Sequence, residues 1–454
     1  MASSRTGPGP ASTRLSQLQR HVQVSPLAHT ADFSTERVAI GDMPSGDAAI
    51  NNNHLLRSQH KSNNLKDINS SVKMSSQAAH STLLIPGPIE FDDAVLQSMG
   101  HYAESHVGGP FVKTFGESLT LLRKLFQTSN PNSQGFIIAG SGTLGWDIVS
   151  ANLVERGDEA LVLHTGYFAD SFASCLETYG VKATQIKAPI GDRPSLEQVE
   201  AALKEKEYKA VTITHVDTST GVLSDIKSIA ALVRKVSPET LVIVDGVCSV
   251  GCEEIAFDEW DIDVVVTASQ KAIGCPPGLS ILMMSERALK RYEARSTPPS
   301  SYYGSLANWL PIMRNYEAGK PSYFATPPTQ LVHALNTTLH QITADLPARI
   351  QQHAAASDKV KKAVADLGLT QLASKPECQA HGMTTIVLPE GLTPPDVLPG
   401  LLKRNIVFAG GLHKEVASRY IRFGHMGVSV TDEKRGDLDR AITSLKEVLD
   451  EKKN

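Results

Sequence analysis

From about residue 81 the chain alternates short, fully apolar runs with longer amphipathic stretches, and that alternation leaves few folds open. Residues 136–139, 160–163, 210–214, 241–244, 263–267 and 279–284 read as buried strands. Between them, residues 195–206 and 225–236 read as helices. Strands separated by helices need crossover connections, which predicts an α/β fold with a mostly parallel sheet flanked by helices. Chemistry in such a sheet gathers at the carboxyl ends of its strands, where the loops begin.

After Pro327-Pro328 the texture changes. Residues 329–344 and 346–367 read as helices, followed by weaker strands at 383–388, 406–408 and 420–423. The last helix keeps Leu438, Ile442, Leu445 and Leu449 on one face. We therefore expect a large domain over 76–330, and an interdomain helix with a small C-terminal α+β domain over 331–454. Residues 1–75 are rich in Ser, Asn, Gln and His without apolar periodicity, and read as a disordered extension. Within it Arg5, Arg14 and Arg20 precede the first acid, Asp32, which is the composition of a mitochondrial transit peptide. Mitochondrial residence is the expectation, with a plain solvated tail and a cytoplasmic or peroxisomal protein as the alternative. The terminus Glu451-Lys452-Lys453-Asn454 is not a peroxisomal tripeptide of the Ser-Lys-Leu kind.

A hydrophobic fraction of 41% over 454 residues supplies a large core. The net charge of −4 gives no overall attraction for nucleic acid or anionic membrane. No apolar run approaches the roughly 18 residues of a membrane span. Cys175, Cys248, Cys252, Cys275 and Cys378 are scattered and odd in number, which argues against a disulfide framework. Cys248 and Cys252 lack a second ligand pair, so no metal site is expected.

Lys271, in Ser269-Gln270-Lys271, follows the strand at 263–267 and so stands where a parallel sheet presents its loops. A desolvated lysine there has a lowered pKa and a free lone pair, the requirement for a Schiff base. Asp245 ends the strand at 241–244, and 26 residues (271 − 245) separate it from Lys271, enough for one excursion to a further strand end. Carboxylate and lysine at two strand tips are what pyridoxal phosphate needs: one partners the pyridine nitrogen, the other holds the aldehyde. Gly140-Ser141-Gly142-Thr143 opens a helical stretch after a strand, where backbone N–H groups and hydroxyls suit a phosphate. His164 to Phe168 puts aromatic rings at another strand end, and Thr214 to Gly221 puts hydroxyls at the next. Arg422, inside the apolar stretch Tyr420-Ile421-Arg422-Phe423-Gly424, needs an anion, either in a structural salt bridge or as a substrate carboxylate.

The order of these pieces resembles the class V aminotransferases, and within them the alanine–glyoxylate (serine–pyruvate) branch, over roughly residues 82–450. The resemblance implies a pyridoxal-phosphate-dependent transferase fold with a seven-stranded type of sheet in the large cofactor-binding domain. It implies that Lys271 is the Schiff-base lysine and Asp245 the partner of the pyridine nitrogen. Ser141, Gly142 and Thr143 would form the phosphate cup, with Gln270 a further contact. Phe168 stands where the family stacks an aromatic on the ring, Val247 on the opposite face, and Thr218 beside the phenolic oxygen. Tyr323 and Thr326 match a Tyr-x-x-Thr pair that reaches the phosphate of the other subunit, implying a homodimer with shared sites. Arg422 would grip the substrate carboxylate, with Gly87 of Pro86-Gly87-Pro88 nearby. The implied reaction is transamination from L-alanine to glyoxylate, giving pyruvate and glycine, with serine the alternative donor. Two other readings stay open: a phosphorylated ligand bound without turnover, and a cysteine desulfurase or lyase on the same fold. For the last, Gln270 stands where desulfurases carry His, and Cys378 is the sole candidate for a late-loop thiol.

Overall fold

The computed structural model describes residues 76–453. The extension and its address signal at 1–75 lie outside the described residues. Seven strands form the main sheet, in the order Gln134–Ala139, Leu279–Met284, Val264–Ala268, Leu241–Asp245, Ala210–Thr214, Glu159–His164, Lys182–Lys187. Leu279–Met284 runs antiparallel to both neighbours, and the remaining pairings are parallel. The exception has a cause in chain length. Only the loop 269–278 joins it to Val264–Ala268, too short for a crossover helix, so the two strands fold back on each other. The central strands are buried along their whole length, as the β-branched runs require.

Lys182–Lys187 escapes the apolar-run reading because it is an edge strand. Its sequence, Lys-Ala-Thr-Gln-Ile-Lys, is exposed at both ends and half-buried between, and it pairs on one side only.

A second, four-stranded antiparallel sheet combines Thr370–Gln371, Met383–Val387, Tyr420–Gly424 and Ala409–Gly410. With the helices Pro394–Leu402 and Asp437–Lys453 it encloses a separate core containing Ile386, Leu401, Ile421, Phe423 and Leu445. A division of the chain near residue 330 is crossed in both directions. Helix Thr329–Ala344 puts Val332, Leu335 and Leu339 into the first core. Conversely, Thr82–Leu83 pairs in parallel with Ile406–Val407, and Leu84 lies in the second core. The segment then receives a bond from Gly424 N to Leu84 O (2.8 Å) and runs on to Pro86 and Gly87. Helix Leu346–Asp366 joins the two parts, and among the described residues no helix is long and apolar enough to cross a membrane.

The strands ending at Asp245 and Ala268 are locked in register at their other ends by Asp263, which is fully buried. Its Oδ2 accepts from Val242 N at 2.7 Å, and its own N–H donates to Val242 O at 3.0 Å. Arg234, Arg287 and Ser285 complete the carboxylate's partners. Asp263→Ala should therefore cost about 3 kcal/mol in urea unfolding, the scale for breaking a buried ion pair and stranding its partners. A loss under about 1 kcal/mol would show that the register is set elsewhere.

Candidate active site

Asp245 is 3% exposed at the tip of its strand. Its carboxylate accepts from Val247 N (3.0 Å) and from the indole Nε1 of Trp146 (3.1 Å). Burial pushes the carboxyl up to about 6, against the opposing pull of those two donors. Lys271 lies beyond the end of the neighbouring strand and donates from Nζ to Pro86 O. Burial holds its ammonium below the usual lysine range, and the Arg422 charge adds to this. Gly87 is what lets the lysine lie there. Its φ is +88°, and a Cβ on it would stand 2.2 Å from Lys271 Cδ.

Between these groups is a cavity of about 140 Å³, lined by Ser141, Gly142, Thr143, Phe168, Thr218 and Val247 together with Asp245, Gln270 and Lys271. Helix Gly142–Asn152 starts at its wall with Ser141 as N-cap, and no side chain caps it. Among the described residues no acceptor meets the first N–H groups of Gly142 and Thr143. The Gln270 amide also lines this wall, its acceptor oxygen Oε1 buried without a donor. A Cβ on Gly142 would come within 2.6 Å of Val247 Cγ2, so this approach needs glycine. The donor set is that of an anion site with a carboxylate and an amine beyond it, and pyridoxal phosphate fits it.

Phe168 is fixed by a cap supplied from another strand end. Its N–H donates to Asp217 Oδ2 (3.2 Å), and Tyr167 N donates to Ser219 Oγ (2.9 Å). Ser219 Oγ in turn donates to Asp217 Oδ1 (2.6 Å). The same turn receives the second sheet. Tyr420 OH donates to Ser219 O, and Arg422 donates to Thr218 O from Nη1 (3.2 Å) and to Gly410 O from Nε (2.7 Å). Among the described residues no carboxylate lies within ion-pair distance of Arg422, so the salt-bridge reading finds no partner. Its guanidinium is half-buried, held by carbonyls, with Nη2 left without an acceptor.

Tyr323 and Thr326 are not brought to this cavity within the chain. Tyr323 is 61% exposed beside His106 (ring centroids 4.9 Å), and Thr326 is also exposed. Sequence reading missed three residues. Trp146 is one turn beyond Gly142 on the same helix, a spacing that could have identified it. Asp217 is an acid within a fully buried run. Cys248 lines the cavity as well, its thiol pushed up to about 12 by burial and so inert. Cys378 lies buried in a short 3₁₀ turn with its thiol toward Asp192 Oδ1 (3.7 Å), apart from the cavity lining. The cluster His101, Glu104 and His333 stacks its two imidazoles at 3.9 Å with planes 13° apart. Glu104 bridges them, its Oε1 3.5 Å from His101 Nδ1 and also in contact with His333 Nε2.

The raised Asp245 carboxyl has a stability consequence. Below about pH 4 the group is protonated in both folded and unfolded chains. Between there and about 6 the unfolded chain releases its proton and the folded chain keeps it, so stability falls as pH rises. Asp245→Asn should flatten this fall in the cofactor-free protein and raise its urea midpoint at pH 7. An unchanged pH profile would show that the carboxylate is stabilised in the fold as it stands.

The sequence model of the family described as aminotransferase class V matches residues 92–428. Alanine–glyoxylate aminotransferase 1 of Saccharomyces cerevisiae is 42% identical over 382 residues, covering 82% of this chain and 98% of that one. Serine–glyoxylate aminotransferase of Methylorubrum extorquens is 28% identical over 76% of this chain and 86% of its own length. Among solved structures, an alanine–glyoxylate aminotransferase from Nostoc sp. superposes with a TM-score of 0.76 at 30% identity, covering 84% of this chain and 100% of that one. With a strand-end carboxylate and lysine facing one cavity, and a family match spanning both, the chain belongs to the class V aminotransferases.

Proposed function

We propose that the protein transfers the amino group of L-alanine to glyoxylate, releasing pyruvate and forming glycine, with pyridoxal phosphate held on Lys271. The observation that carries this reading is the convergence on one cavity wall of Asp245, Lys271 and the uncapped helix start at Ser141–Thr143, with Arg422 reaching the adjoining Thr218 carbonyl. Similarity to the yeast enzyme supports alanine as donor, with serine the alternative.

Each residue has a role that its surroundings favour. Ser141, Gly142, Thr143 and Gln270 would bind the phosphate. Phe168 and Val247 would sandwich the ring, and Thr218 would meet its phenolic oxygen. When bound, the cofactor supplies an electron sink for the pair left at the substrate Cα. Asp245 would hold its charge against the ring nitrogen, which returns it to the carboxylate form that burial alone disfavours. Arg422 would orient the substrate carboxylate through the guanidinium edge that no protein acceptor uses. Lys271, with its amine shifted towards the neutral form, would take the Cα proton and deliver it back on the cofactor side. The reverse sequence with glyoxylate restores the starting enzyme. Gly87 would keep the lysine's path free. The exposed Tyr323 and Thr326 would serve the phosphate of a second copy, making the working unit a homodimer. The Arg-bearing, acid-free composition of residues 1–31 supports a mitochondrial address.

Protein loaded with pyridoxal phosphate should absorb in the visible and bleach on addition of L-alanine, faster than with L-cysteine. Lys271→Ala should fold and lose the borohydride-reducible covalent link. Attachment at another lysine, or sulfide release from cysteine in place of bleaching by alanine, would overturn the assignment.

The shared site has its own test. Lys271→Ala chains re-paired with Tyr323→Ala/Thr326→Ala chains, each inactive alone, should regain about a quarter of wild-type activity, because half of the dimers carry one intact site. No recovery despite confirmed subunit exchange would confine each site to one chain.

A further inference from the structure

Arg349 lies in the first turn of helix Leu346–Asp366, away from the residues lining the cofactor cavity. It donates from Nε to Gly251 O (3.1 Å) and from Nη2 to Ala272 O (2.8 Å). Gly251 ends the turn that follows Asp245, and Ala272 is the residue after Lys271. One guanidinium thus spans the two loops that carry the cavity's carboxylate and its amine. As with Arg422, no carboxylate pairs with it among the described residues, so the bridge is its sole polar engagement.

One turn on, His353 is fully buried. Its Nδ1 meets Arg349 O at 2.8 Å, and its Nε2 accepts from Gly427 N at 3.0 Å. Gly427 lies three residues beyond Tyr420–Gly424, the strand bearing Arg422. The pair of contacts fixes one tautomer, proton on Nδ1 and lone pair on Nε2. A doubly protonated ring could not accept the Gly427 N–H. Contacts therefore run without a break from the Lys271 loop, through one helical turn, to the segment behind Arg422.

We propose that Arg349 and His353 are positioning residues, which set the separation between the cofactor lysine and the substrate-carboxylate arginine by fastening both loops to one rigid helix. The inference rests on the roles given above to Lys271 and Arg422. A helix is suited to the task because its backbone hydrogen bonds make one turn a fixed spacer of about 5.4 Å. Burial without a carboxylate brings the Arg349 guanidinium down to about 10, still charged at neutral pH, and drives His353 down to about 3, so the ring stays neutral. Both groups thus keep the donor and acceptor roles the bridge needs throughout the working pH range.

The two ends of the bridge have separate readouts. The pH midpoint of the visible absorbance of cofactor-loaded protein reports Lys271. The KM for L-alanine reports Arg422. Arg349→Met should move the absorbance midpoint and lower kcat/KM by about 10- to 100-fold, the scale of a misplacement of about 1 Å. His353→Leu should raise KM while leaving the absorbance midpoint in place. His353→Gln, which retains a donor and an acceptor, should recover part of the loss. If Arg349→Met proves insoluble, Arg349→Lys, which can reach one carbonyl, should shift the same two readouts by less. Variants that change only the urea midpoint, with absorbance and KM as in wild type, would overturn the positioning role. Wild-type protein that gains no visible absorbance with pyridoxal phosphate would instead overturn the site assignment, and this inference with it.

Discussion

A carboxylate buried at the end of a central strand is costly unless a cation meets it, and Asp245 is held in that state. Two donors, Trp146 Nε1 and Val247 N, are too few to restore what water would give, and the carboxyl stays raised. The fold accepts this cost at one point and secures it from the far end of the same strands. Asp263, with its arginine and serine partners, pins the register of the two strands that deliver Asp245 and the Lys271 loop. In these two strands the ion pairs of Asp263 lie at the amino end, and Asp245, which has no cation in ion-pair contact, lies at the carboxyl end.

The same division holds for the cations. Arg234 and Arg287 spend their charge on Asp263. Arg422 and Arg349 are held by carbonyl oxygens alone, which orient a guanidinium without neutralising it. Arg422 thereby keeps its attraction for a carboxylate. The turn Asp217–Ser219 is the meeting point. It caps the helix bearing Phe168 and receives Tyr420 and Arg422 from the second sheet, so the elements bearing Phe168 and Arg422 share one support. Relatives on the same fold, such as a NifS-like protein at 16% identity with a TM-score of 0.61, share the architecture alone. In this chain Cys378 is packed away beside Asp192, apart from the residues lining the cavity.

Much of the site was readable because strand-end chemistry is local in sequence. Asp245 and Lys271 each follow an apolar run, and Ser141–Thr143 open a helix after another, so spacing and residue type suffice. The parts that were not readable depend on faces and partners. The spacing of Trp146 from Gly142 marks its place on the helix, but not that its indole, stacked on Phe172 at 5.4 Å, turns its N–H to Asp245. The strand Lys182–Lys187 carries no apolar run because it covers a sheet edge. Arg349, in an Ala- and Gln-rich helix, looks like a solvated surface residue until the loops it joins are placed beside it.

By itself the sequence determined the class of fold, six of the seven strands of the central sheet, and the identity of the residues at their tips. Hydrophobic periodicity and β-branched composition act through neighbouring residues, and they leave their mark in order along the chain. Tertiary structure decided which tips face one cavity, which arginine is left without an anion, and that residues 82–84 pair with and pack into the C-terminal part. Those outcomes depend on contacts between residues one to several hundred positions apart, such as Gly424 N to Leu84 O and Arg422 to the Thr218 carbonyl. Closing such loops is set by the packing of whole elements, and no window of sequence contains it.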